Sequence, residues 1–192
     1  MPRRLLPVAA TCLAACSSYI GSARSFSPAA FDREQGWIAI RDVPFGEQES
    51  ESDCGAAAIG MVVSYWTGTP PGQISGALRP APQSGIKAGR LRDFARERGL
   101  ASFLVEGEIA DLARELGSGR PVLVGLVKPH HRGTLTHYEV VVGLHLERGV
   151  VVTLDPAEGW RQNTLAGFLA EWKPAGRLAL IVSSTSDRPG TT

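Results

Sequence analysis

The chain has 192 residues, 43% of them hydrophobic, and a formal net charge of +1. This length can bury a sizeable core and is typical of a single domain. Proteins that bind nucleic acid are usually strongly basic, so the near-neutral balance argues against nucleic acid as a partner. No apolar run of about 20 residues follows the N-terminal segment, so the body of the chain is not expected to span a membrane.

The N-terminus has the composition of an export signal. Arg3 and Arg4 supply a positive start, and residues 5–15 form an apolar stretch that is too short to span a membrane. Residues 13–16 read Leu-Ala-Ala-Cys, which resembles the lipobox of bacterial lipoproteins. In that class, cleavage leaves the cysteine first in the mature chain, where it carries acyl groups. An ordinary signal peptide is the alternative interpretation.

The lipobox predicts that Cys16 carries acyl groups such as palmitate and anchors the chain to a membrane. Ser17, in the place where an aspartate would signal retention, indicates the periplasmic face of the outer membrane in the cell envelope. The residues that follow are rich in serine and alanine, as in a tether. The predicted organisation is a lipoprotein signal peptide (1–15), a flexible tether (16–36), a folded domain (37–185) and a disordered tail (186–192).

Cys54 is the one free thiol in this interpretation, because Cys12 leaves with the signal peptide and Cys16 is acylated. No intramolecular disulfide can then form. A lone thiol in an oxidising compartment is expected to be either used or buried.

Cys54 also lies where a helix is predicted to begin. Asp53 is a favourable N-cap residue, and the apolar positions 58, 61, 62 and 65 then form one helical stripe. A thiol at the first helical position meets unpaired backbone N–H groups and the positive end of the helix dipole, which both favour the thiolate. The same pattern also fits a small buried hydrophobic residue.

The remaining elements alternate short helices with β-branched runs. The segments 73–78, 91–98 and 109–116 have helical spacing of apolar residues, and a glycine follows the second of them as a C-cap. Residues 147–149 read Glu-Arg-Gly and predict a hairpin turn. An α+β fold with one mostly antiparallel sheet is therefore predicted, with strands at 38–43, 101–106, 121–127, 138–146, 150–154 and 178–182.

Two predicted strands carry further chemistry. His137 opens one strand and Asp155 ends the next, so both belong to the open end of the hairpin that turns at 147–149. In a simple register Asp155 would lie near position 141. An aspartate near a histidine fixes its tautomer and stabilises the charged ring. A solvated histidine and a turn-forming aspartate before a proline are the alternatives.

Four fragments in this order resemble one known family. They are Gln48, the helix start Asp-Cys-Gly at 53–55, the strand His-Tyr-Glu-Val-Val at 137–141, and Asp-Pro-Ala-Glu-Gly at 155–159. Together they resemble the bacteriocin-processing cysteine peptidases, which remove double-glycine leaders and have a compact papain-like fold. The resemblance covers about residues 42–183.

The resemblance implies a role for each matching residue. Cys54 would be the nucleophile, His137 the general base and later acid, and Asp155 the group that orients His137. Gln48 would donate its side-chain amide to the oxyanion, beside the backbone N–H of Cys54. A secreted or leader-bearing peptide would be the substrate, and no cofactor or metal is implied. A plain surface glutamine is the alternative for Gln48.

The sequence departs from that family in its surroundings. Members are commonly fused to transmembrane helices and a nucleotide-binding domain, and this sequence contains no G-x-x-x-x-G-K-[ST] motif. An export partner would therefore be a separate protein. Two other functions use the same residues: a non-catalytic lipoprotein that binds peptides in the cleft, and a transglutaminase-like acyl transferase. A metal site at His130, His131 and His137 lacks the accompanying ligands expected for one.

Overall fold

A computed structural model of the chain describes residues 19–78, 85–131 and 133–184. The predicted signal peptide, the acylation site Cys16 and the predicted tail at 186–192 lie outside these residues. Within the described part of the chain, no helix is both long enough and apolar enough to cross a membrane.

Most of the described helices precede the long strands, which lie in the second half of the chain. The helices are α1 (Ala30–Arg33), α2 (Cys54–Thr67), α3 (Pro71–Ser75), α4 (Ala88–Arg96), α5 (Ile109–Gly117) and α6 (Leu165–Trp172). The strands are β1 (Arg24–Ser25), β2 (Trp37–Ala39), β3 (Ala101–Glu106), β4 (Val122–His130), β5 (Gly133–His145), β6 (Val150–Asp155), β7 (Gly159–Thr164) and β8 (Leu178–Ser183).

The described strands form one sheet in the order β1-β7-β6-β5-β4-β8-β3, and β2 pairs with one end of β5. Every pairing between these strands is antiparallel. The α+β fold with a mostly antiparallel sheet is therefore confirmed. The central strands β4, β5 and β6 bury most of their residues because helices and neighbouring strands cover them.

Helix α2 is the most buried helix of the fold. Its first eleven residues are all buried, because small residues alternate with Ile59, Met61 and Val62 and leave no polar face in this stretch. Gly60 lets α3 approach closely, since a Cβ there would lie 3.1 Å from the carbonyl oxygen of Pro71. Gly68 ends the helix with a φ of 74°, a conformation that glycine adopts without steric cost. The start of α2 is thus packed in a fixed position against the sheet.

The β5–β6 hairpin turns at the predicted residues but has a different register beyond them. Val140 pairs with Leu154 and Val141 with Thr153, so the residue across from Asp155 is near 139 and not near 141. One residue of this difference arises at the turn, which includes Leu146, because His145 pairs with Val150. The other arises from an irregularity between Val141 and Gly143, where the pairing shifts by one residue. Sequence spacing alone does not reveal such a bulge.

Residues 19–36 differ from the predicted flexible tether. Ile20 bonds to the carbonyl of Pro129, β1 pairs with β7, and the short helix α1 buries Phe31 in the core. The physical reason is an aromatic cluster, in which the Phe31 ring lies 4.9 Å from that of Phe26 and 5.1 Å from that of Trp37. The described part of this segment therefore packs as part of the folded body.

Besides β1 and α1, strand β7 and helix α6 were absent from the predicted set. Strand β7 carries Arg161, Gln162 and Asn163, which do not form a β-branched run. Helix α6 spans only eight residues and contains Gly167, although Thr164 caps it by accepting a hydrogen bond from the Gly167 N–H at 3.0 Å. Both elements pack on the sheet through tertiary contacts that local sequence does not encode.

Candidate active site

Cys54 occupies the first position of α2 and is buried, with 6% of its surface exposed. Asp53 stands at the N-cap position as predicted, but its side chain makes no cap hydrogen bond. Its carboxylate instead accepts a hydrogen bond from the Ser50 hydroxyl at 2.7 Å. Since the first N–H groups of a helix have no partner within the helix, the amides around Cys54 are available to an incoming oxygen atom.

His137 connects Cys54 to Asp155. The His137 Nε2 atom lies 2.8 Å from Asp155 Oδ1, and the Cys54 thiol lies close enough to the ring to raise the pKa of His137. Because Nε2 is engaged by Asp155, Nδ1 is the nitrogen that remains for the thiol. The backbone N–H of Ala157 holds the same Oδ1 atom at 2.8 Å. The structure therefore brings together three of the four residues predicted for the site.

The surroundings favour a charged His137 ring. Burial lowers the pKa of His137, but hydrogen bonds to Asp155 and Cys54 and the charges of Asp155 and Glu139 outweigh burial and raise that pKa to about 10. Burial raises the pKa of Asp155, but His137 and Lys128 hold it well below the ordinary value for an aspartate. A cationic imidazole is thus paired with an anionic aspartate on one side and a thiol on the other.

A buried lysine completes the polar cluster. Lys128 of β4 is 6% exposed, and its Nζ atom lies 2.8 Å from Asp155 Oδ2 and donates a second hydrogen bond to Glu139. Burial lowers the pKa of Lys128, but the two carboxylates raise it above its usual value. His137, Glu139 and Asp155 are residue types that bind metals, yet the lysine ammonium already lies between the two carboxylates.

Cys54 opens onto a cleft of about 460 Å³. Residues 85–87 and 134–136 line it from two separate segments, and Tyr138 contributes its ring beside the helix start. A Cβ at Gly55 would lie 3.2 Å from Cδ2 of that ring, so glycine after the cysteine permits this contact.

Gln48 lies close to the cluster through its backbone. Its N–H donates to the carbonyl oxygen of Pro156 at 3.0 Å, directly after Asp155. Its side chain lines a second depression with Ala56, Ala57 and Leu78, and the Oε1 atom is buried without a partner among the described residues. The structure therefore places Gln48 beside the start of α2 but on a different depression from the one that exposes Cys54.

Sequence reasoning missed Lys128, Glu139 and Tyr138 as parts of this site. A lysine within an otherwise apolar strand is a usable signal, because a buried lysine requires partners. The two other histidines considered for a metal site lie elsewhere: His130 packs against Tyr19, and His131 is exposed at the end of the β4–β5 hairpin. His145 is buried against the Trp37 ring at 5.1 Å, as a core partner.

The arrangement can support nucleophilic chemistry on an acyl group. It contains a thiol at a helix start, an imidazole in contact with that thiol, and a carboxylate that fixes the imidazole. Together with the antiparallel sheet, these features define a papain-like cysteine peptidase. The chain belongs to the family described as papain-like cysteine protease AvrRpt2, whose model matches residues 38–173.

Solved structures of similar fold come from bacterial peptidases. A C39-like peptidase from Bacillus anthracis has a TM-score of 0.60 at 16% identity, covering 78% of this chain and 98% of that one. The peptidase domain of Streptococcus ComA, a bifunctional ABC transporter of a quorum-sensing pathway, has a TM-score of 0.59 at 19% identity, covering 74% and 99%. No curated protein matches the chain.

A third similar structure is a double glycine motif protease from an AMS/PCAT transporter, solved in complex with its leader peptide. It has a TM-score of 0.57 at 21% identity and covers 75% of this chain and 93% of that one. At these identities the similarity concerns the fold. The predicted resemblance to bacteriocin-processing peptidases is confirmed as structural similarity, whereas the family whose model matches is the AvrRpt2 one.

Proposed function

We propose that this protein hydrolyses peptide bonds at the bacterial cell envelope with Cys54 as nucleophile, His137 as acid and base, and Asp155 as orienting group. The observation that carries the proposal is the 2.8 Å hydrogen bond between His137 and Asp155 beside the Cys54 thiol at the start of α2. The cleft beside Cys54 supports a peptide as substrate, as does membership of a peptidase family.

The proposed reaction follows from the geometry. The Cys54 thiolate attacks the peptide carbonyl carbon, and the C=O electrons move onto oxygen to give a tetrahedral oxyanion. As the C–N bond breaks, His137 gives its Nδ1 proton to the leaving amine, and a thioester remains on Cys54. A water molecule then attacks the thioester carbonyl carbon while His137 accepts its proton. The C–S bond breaks with its electrons on sulfur, which releases the carboxylic acid and restores the Cys54 thiolate beside protonated His137.

The oxyanion would be held by backbone N–H groups at the start of α2 and by the side-chain amide of Gln48. Such donors are effective because they are in place before charge develops. The bond from the Gln48 N–H to Pro156 ties this residue to the Asp155 turn, which supports the assignment. The backbone donors are already in place, whereas the Gln48 side chain, which lines the neighbouring depression, would have to turn toward the cleft when substrate binds.

The substrate class and the anchor complete the proposal. A similar fold binds a leader peptide in the double glycine motif protease, and we extend this to a secreted or leader-bearing peptide that a separate export system delivers.

Acylated Cys16 would hold the protein on the periplasmic face of the outer membrane. Labelled palmitate should enter the wild-type protein and not Cys16→Ala, which should move to the soluble fraction. Wild-type protein that is soluble and unlabelled would contradict the anchor.

A peptide library derived from a bacterial proteome tests the proposed chemistry. Purified protein is incubated with the library and a labelled primary amine, and products are read by mass spectrometry. Hydrolysis gives new peptide termini, whereas acyl transfer gives labelled amides. Cys54→Ser and His137→Ala should each lose activity almost completely, because the nucleophile and its base act as a unit.

His131→Ala is the matched control, since His131 is exposed and does not line the cleft. That variant should cleave like the wild type. Binding of peptides by the wild type without any new termini, and equally by Cys54→Ser, would replace the peptidase with the peptide-binding lipoprotein. Labelled amides without new termini would replace it with the acyl transferase.

A further inference from the structure

Lys128 has an unusual position for a lysine. It lies in β4 after Val122, Leu123, Val124 and Leu126, which are all buried, and its own side chain is buried with them. A lysine is almost never buried without compensating partners, because an unpaired ammonium in the interior is costly. Its Nζ atom meets this requirement with Asp155 Oδ2 at 2.8 Å and with Glu139 Oε1.

The groups that face this ammonium come from every element around it. Glu139 and His137 belong to β5, Asp155 to β6, and Glu171 to α6. The Tyr19 ring of the N-terminal segment lies 5.0 Å from Nζ, and its hydroxyl donates to Glu171. Lys128 is the one lysine or arginine among the described residues that bonds to Asp155.

We propose that Lys128, held in place by Glu139, is a positioning residue of the active site: its ammonium fixes Asp155 so that Oδ1 faces His137. The inference rests on the proposed role of Cys54, His137 and Asp155. An aspartate carboxylate rotates about its last torsion with a broad preference, so one bonded oxygen does not define its orientation. With Oδ2 on Lys128, and with Oδ1 on His137 and the Ala157 N–H, that rotation is stopped.

The ammonium also keeps Asp155 ionised. A buried carboxylate oxygen without a partner favours the protonated acid, and a nearby cation opposes this effect. Protonated Asp155 would no longer stabilise the His137 imidazolium, and the thiolate of Cys54 would lose its counter-charge. Loss of Lys128 should therefore reduce thiolate reactivity first at the acid end of the pH range.

The test uses alkylation of Cys54 by iodoacetamide, which reports thiolate without a peptide substrate. In full-length protein, Lys128→Met with Glu139→Gln removes the buried cation and anion together, so no charge is left unpaired. We expect the acid limb of the rate against pH to move up by about one pH unit or more. The downfield proton signal of the His137 Nε2–H, assigned by its loss in His137→Ala, should shift or disappear.

Glu115 and Arg120 provide a matched control pair. Glu115 is buried, and the Arg120 Nε atom lies 2.6 Å from its Oε2 atom, with no hydrogen bond to the Cys54 site. Glu115→Gln with Arg120→Met should lower stability to a similar degree but leave the alkylation profile and the His137 signal unchanged. Asp155→Asn should shift the alkylation profile and the His137 signal in the same direction as Lys128→Met with Glu139→Gln does.

If Lys128→Met with Glu139→Gln does not fold, the same measurements are made on Lys128→Gln with Glu139→Gln. This second pair keeps N–H donors at both positions. An unchanged profile and signal in a folded Lys128 pair, with Asp155→Asn shifted, would overturn the positioning role alone. Failure of both pairs to fold, with the control pair folded, would also overturn it and make Lys128 a residue of the fold. An unchanged profile in Asp155→Asn and His137→Ala would instead overturn the proposed triad.

Discussion

Asp155 uses its two carboxylate oxygens for different purposes. Oδ1 accepts from Ala157 and faces His137, whereas Oδ2 accepts from Lys128. Each oxygen has a hydrogen-bond partner although only 3% of the Asp155 side chain is exposed. This arrangement explains how a carboxylate remains charged inside the protein and can stabilise an imidazolium.

The buried charges of the cluster compensate one another. His137 and Lys128 supply two cations, and Asp155 and Glu139 supply two anions. A cluster that is neutral as a whole avoids most of the cost of an isolated buried charge, but removal of a single member restores that cost. Single substitutions in the cluster are therefore expected to be more harmful than matched pairs.

The raised pKa of His137 predicts a pH dependence of folding. A pKa of about 10 in the folded state, against an ordinary value of 6.5, means that the folded protein retains a proton that the unfolded chain releases. The resulting stabilisation is fully present below about pH 6.5 and is lost as the pH rises through about 10. Within that window the free energy of unfolding should fall by up to about 1.4 kcal/mol per pH unit.

Urea unfolding of the wild type and His137→Gln at several pH values between 6 and about 10.5 measures this effect. The difference between the two proteins isolates the contribution of His137, because all other titrating groups are common to both. The difference in free energy of unfolding between the wild type and His137→Gln should shrink as the pH rises. Parallel profiles across the whole window would show that His137 does not bind an additional proton in the folded state.

Single residues also show how far a sequence can predict a site. Cys54 and Asp155 were predictable because each stands at the end of an element with a clear pattern. His137 was predictable because a β-branched run follows it, although β5 begins four residues earlier, at Gly133. Lys128 and Glu139 were not, because their role depends on which strand faces which. The β4–β5 pairing places Lys128, and the β5–β6 pairing with its bulge after Val141 places Glu139 beside Asp155.

At the scale of elements, α2 combines burial with an open N-terminus. Thr164 closes the start of α6 with a side-chain cap, whereas α1, α2, α3 and α4 have no side-chain cap hydrogen bond. The Asp53 side chain turns instead to Ser50, so the first N–H groups of α2 face the Cys54 end of the cleft uncapped. A helix that leaves these donors free forgoes some stability and gains a site for an oxyanion.

The success of element prediction follows the strength of the local pattern. Strand β3 and helix α5 begin at the predicted residues 101 and 109, because alternation or helical spacing is clear in both. Strand β2 ends at Ala39, four residues before the predicted end, because it pairs with only three residues of β5. Strand β7 is polar and exists because β6 and β1 pair with it on both sides.

At the scale of the whole molecule, the N-terminal segment joins distant parts of the fold. The Tyr19 hydroxyl donates to Glu171 of α6, and β1 lies along β7. Tyr19 lies three residues after Cys16, the proposed acylation site, so under the proposed anchor the packed body would lie close to the membrane surface.

The packing of Phe31 gives a test of this arrangement. Phe31 is 3% exposed, contacts the Phe26 and Trp37 rings, and covers Gly143, where a Cβ would lie 2.9 Å from its ring. Phe31→Ala should therefore lower the free energy of unfolding by about 3 to 5 kcal/mol, as expected for a buried phenylalanine that leaves a cavity. A flexible tether would predict almost no change.

Urea unfolding measures the effect, with Phe103→Ala as the matched control. Phe103 lies in β3 and is 56% exposed, so its truncation should change the free energy of unfolding by no more than about 0.5 kcal/mol. Equal, small changes in the two variants would mean that residues 19–36 hang free of the body in solution. A large loss in Phe31→Ala alone would mean that the segment folds with the domain, because only a packed ring leaves a cavity when it is removed.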